Sequence, residues 1–447
     1  MRLLPVLLVM VFAGLAPRLA AGQGANRSAK PAILIKNVSV FNGIDEKIAR
    51  GRSVLVVGNK IAKIKAGLIE PPEGTTVIDA GGRVLMPGLI DAHIHLTINM
   101  PPAALKDVDL MYLGTRTALE AERTLMRGFT TVRDTGGPVF GIKRAIDEAL
   151  IKGPRIYPSG AMITQTSGHG DFRSRTDLQR RFGGRADRFE LIGACIIADG
   201  ESEVLAAVRE QLRLGASQIK LMAGGGVASA YDPLDVSQYR EQELKAAVDA
   251  ANDWGTYVLT HVYNARGMQR CIAAGVKCIE HGHLTDEASM KLMAQKGVFL
   301  STQVLTFLTE LPGLSADHKG KLRQAREGTD VMMRLARKHG VKIAWGTDLI
   351  GDPRLLALAP KEFAARLKWF TPVEILRQAT VINGELLALS GPRNPYPGKL
   401  GVIAEGALAD LLVIDGNPLE NIKILEDPDK SLKIIMKDGK LYKNTLP

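Results

Sequence analysis

Both ends of the chain carry short β-branched runs broken by Gly and Asn. ILIKNVSVFNG, SVLVVGNKIAKI and TVIDAGGRVLMPG come early, and DLLVIDG and KIIMKDGKLYKN come late. Such runs predict antiparallel strands. Two strand-rich ends flanking a different middle predict one small β-sandwich domain built by both termini. In the middle, short apolar runs each precede a helix-like stretch, as in TTVRD then FGIKRAIDEALIKG. Candidate strands fall at 89–93, 130–133, 155–158, 218–221, 257–260, 278–280, 298–302 and 342–345. Eight such units predict an α/β fold, a (β/α)₈ TIM-type barrel. A doubly wound sheet would place a Gly-rich phosphate loop after its first strand, and none is seen there. The predicted organisation is a β-sandwich over 31–85 and 396–447 around a barrel over 86–395. The interval 159–217 predicts extended loops beside the fourth strand, shaped as a lid or pocket.

Residues 1–22 stand apart from this pattern. Arg2 precedes an apolar run over 3–15, and Pro17, Ala20, Ala21 and Gly22 follow it. The run is too short to span a bilayer, which needs about 20 apolar residues. It predicts a cleaved signal peptide, a periplasmic or secreted protein, and no membrane span after cleavage. The remaining composition, 46% hydrophobic and 23% charged over 447 residues, is that of a globular chain. Formal charge is +11, or +9 without Arg2 and Arg18, and is not gathered into a long basic run. That argues against a nucleic-acid partner and for attraction of anionic substrates. Cys195, Cys271 and Cys278 lack metal or disulfide spacing and read as buried thiols.

The chemistry begins at DAHIHL. His93 and His95 are two apart at the end of an apolar run, so in a strand both imidazoles face one way. His261 ends YVLTH, His281 ends KCIEH, and Asp348 ends KIAWGTD, each after a strand candidate. Four of the eight histidines thus sit at C-terminal strand ends, the face where barrel enzymes keep their sites. Imidazoles with a carboxylate suit zinc or a similar borderline metal. Lys220, in GASQIKLMAGGG, lies inside an apolar run where an unpaired ammonium is costly. A lysine whose pKa falls on burial can add carbon dioxide and become an anionic carbamate; the plainer alternative is a lysine that snorkels to solvent.

PGLIDAHIHL, GFTTVRDTGG, the strand lysine, TH, IEHG, WGTD and GVIAEGALADLLVIDGNPLENI resemble, in the same order, the amidohydrolase superfamily. The resemblance runs from about residue 33 to the C-terminus. It is greatest to prolidase-like and imidazolonepropionase-related members, which include dipeptidases, carboxypeptidases and ochratoxinase-like amidases. It implies two divalent metal ions: His93, His95 and Asp348 on one, His261 and His281 on the other, and Lys220 between them as a carbamate. It also implies Asp348 as general base and then general acid. Deaminases and imidazolonepropionases of the superfamily typically hold one ion and lack this lysine, so Lys220 points to amide and ester hydrolases. Homo-oligomers are common in the superfamily.

Three further residues are candidates for the substrate. His169, in TQTSGHGDF, resembles a family loop histidine that reaches the substrate, and is read as an oxyanion donor and catalytic residue. Tyr231, just past Lys220, and Tyr263, two residues after His261, are read as substrate contacts. Arg133 and Asp134 read as a structural network. Arg173, Arg175, Arg180, Arg181, Arg185 and Arg188 read as a solvated face, or as a basic lid for a free carboxylate. The expected reaction cleaves the amide of a small molecule and releases an amino acid with a free carboxylate. The substrate is then a dipeptide of Xaa-Pro type or an N-acyl amino acid of ochratoxin type. A lactonase or esterase on the same site is the alternative. Two non-catalytic readings, a scaffold of the same fold and a binder of acidic polymers, leave the six ligand positions unexplained.

Overall fold

A computed structural model describes residues 31–309 and 314–447. The predicted signal peptide lies outside the described residues. Strands β1 (Ala32–Val40), β2 (Ala49–Val57), β3 (Lys60–Ala66), β4 (Thr76–Asp79) and β5 (Val84–Pro87) join β16 (Leu411–Ile414), β17 (Leu432–Lys437) and β18 (Lys440–Asn444). They form one eight-stranded sheet in the order β18-β17-β16-β5-β1-β2-β3, with β4 beside β1. Most pairings are antiparallel; β4 and β5 run parallel to β1. The β17–β18 turn is Asp438-Gly439, with φ of +55° and +72°, the positive pair that a two-residue hairpin favours. Across the sheet, Ile61 N–H donates to Ala407 O at 3.0 Å and Ala409 N–H to Asn59 O at 2.9 Å. The sheet therefore curls onto the segment entering β16. Ile35, Val54, Ile61, Leu85, Val413 and Ile434 fill the enclosed core.

The barrel strands are β6 (Leu89–Ile94), β7 (Phe129–Asp134), β8 (Arg155–Pro158), β9 (Met162–Thr164), β11 (Ile219–Met222), β12 (Val258–Asn264), β13 (Cys278–Leu284), β14 (Phe299–Thr302) and β15 (Ile343–Trp345). Every one of the eight candidate runs contains a strand. All these pairings are parallel, in two arcs, β6-β7-β8 and β9-β11-β12-β13-β14-β15. Helices cover the strands on the outside, so both strand faces are buried and the runs read as continuously apolar. Helix limits follow ordinary capping. Asp286 caps Glu287–Lys296 and Ser315 caps Ala316–His339, and Gly297 and Gly340 end them in the left-handed conformation.

Side chains close the two seams. Asn383 Nδ2 donates to Ile90 O (2.7 Å) and Trp345 O (2.8 Å), tying β15 to β6. Gln218 Nε2 donates to Tyr157 O (2.9 Å) and Ser159 Oγ (3.0 Å), beside the backbone bond from Ser217 N–H to Pro158 O. The interval 159–217 differs from expectation. The third barrel strand breaks at 159–161 and resumes as β9, which pairs with β10 (Cys195–Ile197). Loops interrupted by two short helical turns (Arg180–Phe182 and Arg188–Leu191) occupy 165–194, and the helix Gly200–Leu214 then carries the crossover to β11. Among the described residues no helix is long and apolar enough to cross a membrane.

Candidate metal centre

His93 and His95, at the end of β6, project to one side as the strand period requires. Each ring has one nitrogen committed to a fixed partner. His93 Nδ1 lies 2.6 Å from Glu280 Oε2, and His95 Nδ1 donates to Gly136 O at 2.8 Å. Their Nε2 atoms then lie 3.5 and 3.4 Å from Asp348 Oδ1. Ligand atoms of His93, His95 and Asp348 all fall within 4.8 Å of one another, a donor set that fits a divalent ion.

His261 and His281 face the same space from β12 and β13, with ring centroids 4.4 Å apart. His93 is 5.1 Å from His281 by the same measure. His261 gives its Nε2 to Gly225 O (3.0 Å), which leaves Nδ1 toward a ligand; His281 gives its Nδ1 to Gln303 Oε1 (2.8 Å), which leaves Nε2. Both strands run on past their histidines, to Asn264 and Leu284, where the sequence had suggested strand ends. A bulge allows this at His281 and Gly282 (φ +72° and +69°), where the β12–β13 register shifts. Asp348, just past β15, also has positive φ, +49°.

Lys220 projects from β11 and is almost wholly buried. Burial pushes its ammonium below the ordinary lysine range, against the raising effect of Glu280 and Asp348. Burial holds the histidines neutral, the state a metal ligand needs: His95 falls to about 4, while His93, His261 and His281 lie well below their usual value. Burial raises Asp348 to about 7.

These residues line one cavity of about 160 Å³ with His169, Tyr263 and apolar walls that include Met162, Phe189 and Phe307. His169 stacks on His261 at 4.0 Å, with Nδ1 2.6 Å from Ser229 Oγ. Burial lowers its pKa to about 3. Gly226 makes room for it, because a Cβ there would lie 1.9 Å from the ring. Tyr263 stacks on His281 at 5.0 Å and 8°. Tyr231 is not brought to this cavity. It is half-exposed in an adjoining cleft of about 450 Å³, with the Arg175 guanidinium over its ring at 4.7 Å. Acids neutralise much of the arginine cluster: Arg173 pairs with Asp171, Arg180 with Glu190 and Arg181 with Glu203.

Sequence reasoning missed three supporting side chains. Glu280 accepts from Arg133 (2.7 Å) as well as holding His93. Asp91 accepts from the Thr347 hydroxyl (2.6 Å) and from His93 N–H (3.0 Å). Gln303 touches two of the histidines. An acid beside His281 in an apolar run was a usable signal for Glu280, since such a charge needs a partner. Arg133 and Asp134 are structural, as expected: Arg133 donates to Ala92 O, and Asp134 accepts from Leu96 N–H (2.9 Å).

A family model described as the amidohydrolase family matches residues 84–442. Ochratoxinase from Aspergillus niger is 36% identical over 374 residues, spanning 80% of this chain and 76% of its own. A crystal structure of that A. niger enzyme superposes with TM-score 0.82 at 29% identity, covering 93% of this chain and 96% of that one. A prolidase complexed with N-methylphosphonate-L-proline superposes with TM-score 0.85 at 33% identity, covering 93% and 100%. A Xaa-Pro dipeptidase with methionine bound in its active site gives 0.79 at 30%, covering 92% and 100%.

Proposed function

The chain belongs to the amidohydrolase family and is a hydrolase acting on amides; from that premise we propose a two-metal enzyme that releases an amino acid with a free carboxylate. Its substrates would be dipeptides of Xaa-Pro type or N-acyl amino acids of ochratoxin type, a reading supported by its likeness to an ochratoxinase and a Xaa-Pro dipeptidase. The observation that carries this reading is the convergence of His93, His95, Lys220, His261, His281 and Asp348 on one cavity. His93, His95 and Asp348 would hold one divalent ion, and His261 and His281 the second. The carbon dioxide adduct of Lys220 would supply an anionic oxygen to both. Zinc is the ion proposed from the donor set. Bound there, the ions would acidify a water and polarise the scissile carbonyl.

The remaining steps belong to the chain. Asp348 takes the proton of the attacking water and passes it to the departing nitrogen. His169 meets the Ser229 Oγ through Nδ1 at 2.6 Å and, in the tautomer with its proton on Nε2, would donate toward the carbonyl oxygen. Tyr263 and the apolar walls exclude bulk water and seat an apolar acyl or side-chain group. A leader over 1–22, as the sequence predicts, would place this action in the periplasm or outside the cell.

The test is kcat/KM across matched dipeptides, N-acyl amino acids and lactones, with metal analysis of the same preparation. Turnover of carboxylate-releasing amides with two ions per chain is expected. Uniform inactivity on amides beside lactone turnover would overturn the substrate reading, and one ion per chain would overturn the two-metal reading.

A further inference from the structure

Gln303 follows β14 and is fully buried. Its side-chain Oε1 lies 2.8 Å from His281 Nδ1, and its Nε2 lies 3.2 Å from His93 Nδ1. Those two histidines stand on different strands, β13 and β6, and belong to different halves of the ligand set. The Gln303 backbone is held on both sides. Its carbonyl accepts from His283 Nε2 (3.1 Å), and the next two N–H groups donate to the buried Glu362 carboxylate (3.1 and 2.6 Å). Arg366 anchors that carboxylate at 2.7 Å. With its backbone fixed, the amide cannot follow one imidazole without shifting against the other.

We infer that Gln303 is a positioning residue that couples the two metal positions. Oε1 accepts only from a protonated Nδ1, so it fixes the His281 tautomer and leaves Nε2 as the ligand atom. The His93 Nδ1 proton goes to Glu280. The Gln303 amide nitrogen therefore packs against that ring edge and senses its tilt. An ion that orients His93 thereby orients the amide, and with it His281, before the second ion arrives. The coupling rests on the two-metal reading above.

The test is calorimetric titration of metal-free full-length protein with Zn²⁺, paired with the visible spectrum of the Co²⁺ form. Wild type should bind two ions with positive cooperativity. Gln303→Leu should weaken the second ion by about 10- to 100-fold, the range for lost outer-shell partners, and abolish cooperativity. Gln303→Glu keeps an acceptor oxygen toward His281 and should restore binding to within about threefold of wild type. Gln303→Leu binding both ions as wild type does would overturn the coupling. So would equal weakening by Leu and Glu with lowered melting of both metal-free variants, the mark of a merely structural role. Wild type binding a single ion would remove the two-metal reading and the coupling together, whereas wild type binding two ions without Gln303 dependence removes the coupling alone.

Discussion

Replacing Glu280 by Gln removes one charge and almost no volume, so its consequences can be separated. Glu280 and Arg133 are both fully buried, with Oε1 2.7 Å from Arg133 Nη2 and Oε2 2.6 Å from His93 Nδ1. Burial works against the Arg133 guanidinium, and Glu280 together with the neighbouring Cys278 and Tyr257 holds the group above its ordinary pKa. In the variant, Arg133 keeps Ala92 O and the Tyr257 hydroxyl, but no carboxylate. An amide must also turn its NH₂ toward either Arg133 or the His93 N–H, placing donor against donor. Stranding a buried partner costs about 3–5 kcal/mol. At about 2–4 °C per kcal/mol for domains of 150–250 residues, metal-free Glu280→Gln should melt several degrees below wild type. Losing the carboxylate behind His93 should also weaken metal binding by about 10- to 100-fold. The double variant Arg133→Met with Glu280→Leu has no stranded charge, so it should regain most of the melting temperature but not the metal affinity. Thermal scans in chelator and Zn²⁺ titrations measure the two effects independently. A metal-free Glu280→Gln protein melting with wild type would refute the buried-pair argument. Full metal affinity in the double variant would refute the role assigned behind His93.

Three other perturbations probe the catalytic groups. Asp348→Asn should cut kcat by about 10²- to 10⁴-fold, with most of the metal retained in elemental analysis. Lys220→Ala should lose activity and regain part of it with short carboxylic acids; full activity without rescue would contradict a bridging oxygen at this position. Gly226→Ala places a Cβ 1.9 Å from the His169 ring and should reproduce the loss in His169→Asn, about 10²- to 10³-fold in kcat. The two changes together should cost no more than either alone, and additive losses in kcat would separate Gly226 from His169.

The barrel was legible because its strands are buried on both faces, which leaves each as an unbroken apolar run between polar helices. The break at 159–161 was not, because small residues there carry no period. The closure of β15 onto β6 was equally hidden. Asn383 makes it with one side chain that bonds Ile90 O across 293 positions of sequence, and an asparagine has no local mark of such a task. The same holds for Gln303, whose partner His93 is 210 positions away. Ligands announce themselves by residue type at a strand end, whereas the residues that orient them do so only through distant contacts. Tyr231 shows the converse: its nearness to Lys220 along the chain did not bring it into the cavity.

Backbone conformation at the ligands was the other hidden quantity, and it bears directly on the chemistry. His281 and Asp348 both adopt left-handed φ, a state that costs about 1–3 kcal/mol for a residue with a Cβ. Regular strands would carry His281 along the β13 pleat and Asp348 along the direction of β15. Positive φ instead turns each side chain toward His93. Fixed contacts hold the turns: Asp348 N–H donates to His93 O (2.8 Å), and the Thr306 hydroxyl donates to Thr347 O (2.7 Å). His281 is held between Gln303 and the Tyr263 ring. Both strained residues are proposed ligands, one in each half of the set, and both are supported by the segment after β14, Gln303 and the short helix Leu305–Leu308. That segment thus touches both halves of the site. Changes within 303–307 should therefore alter metal binding before they alter the fold.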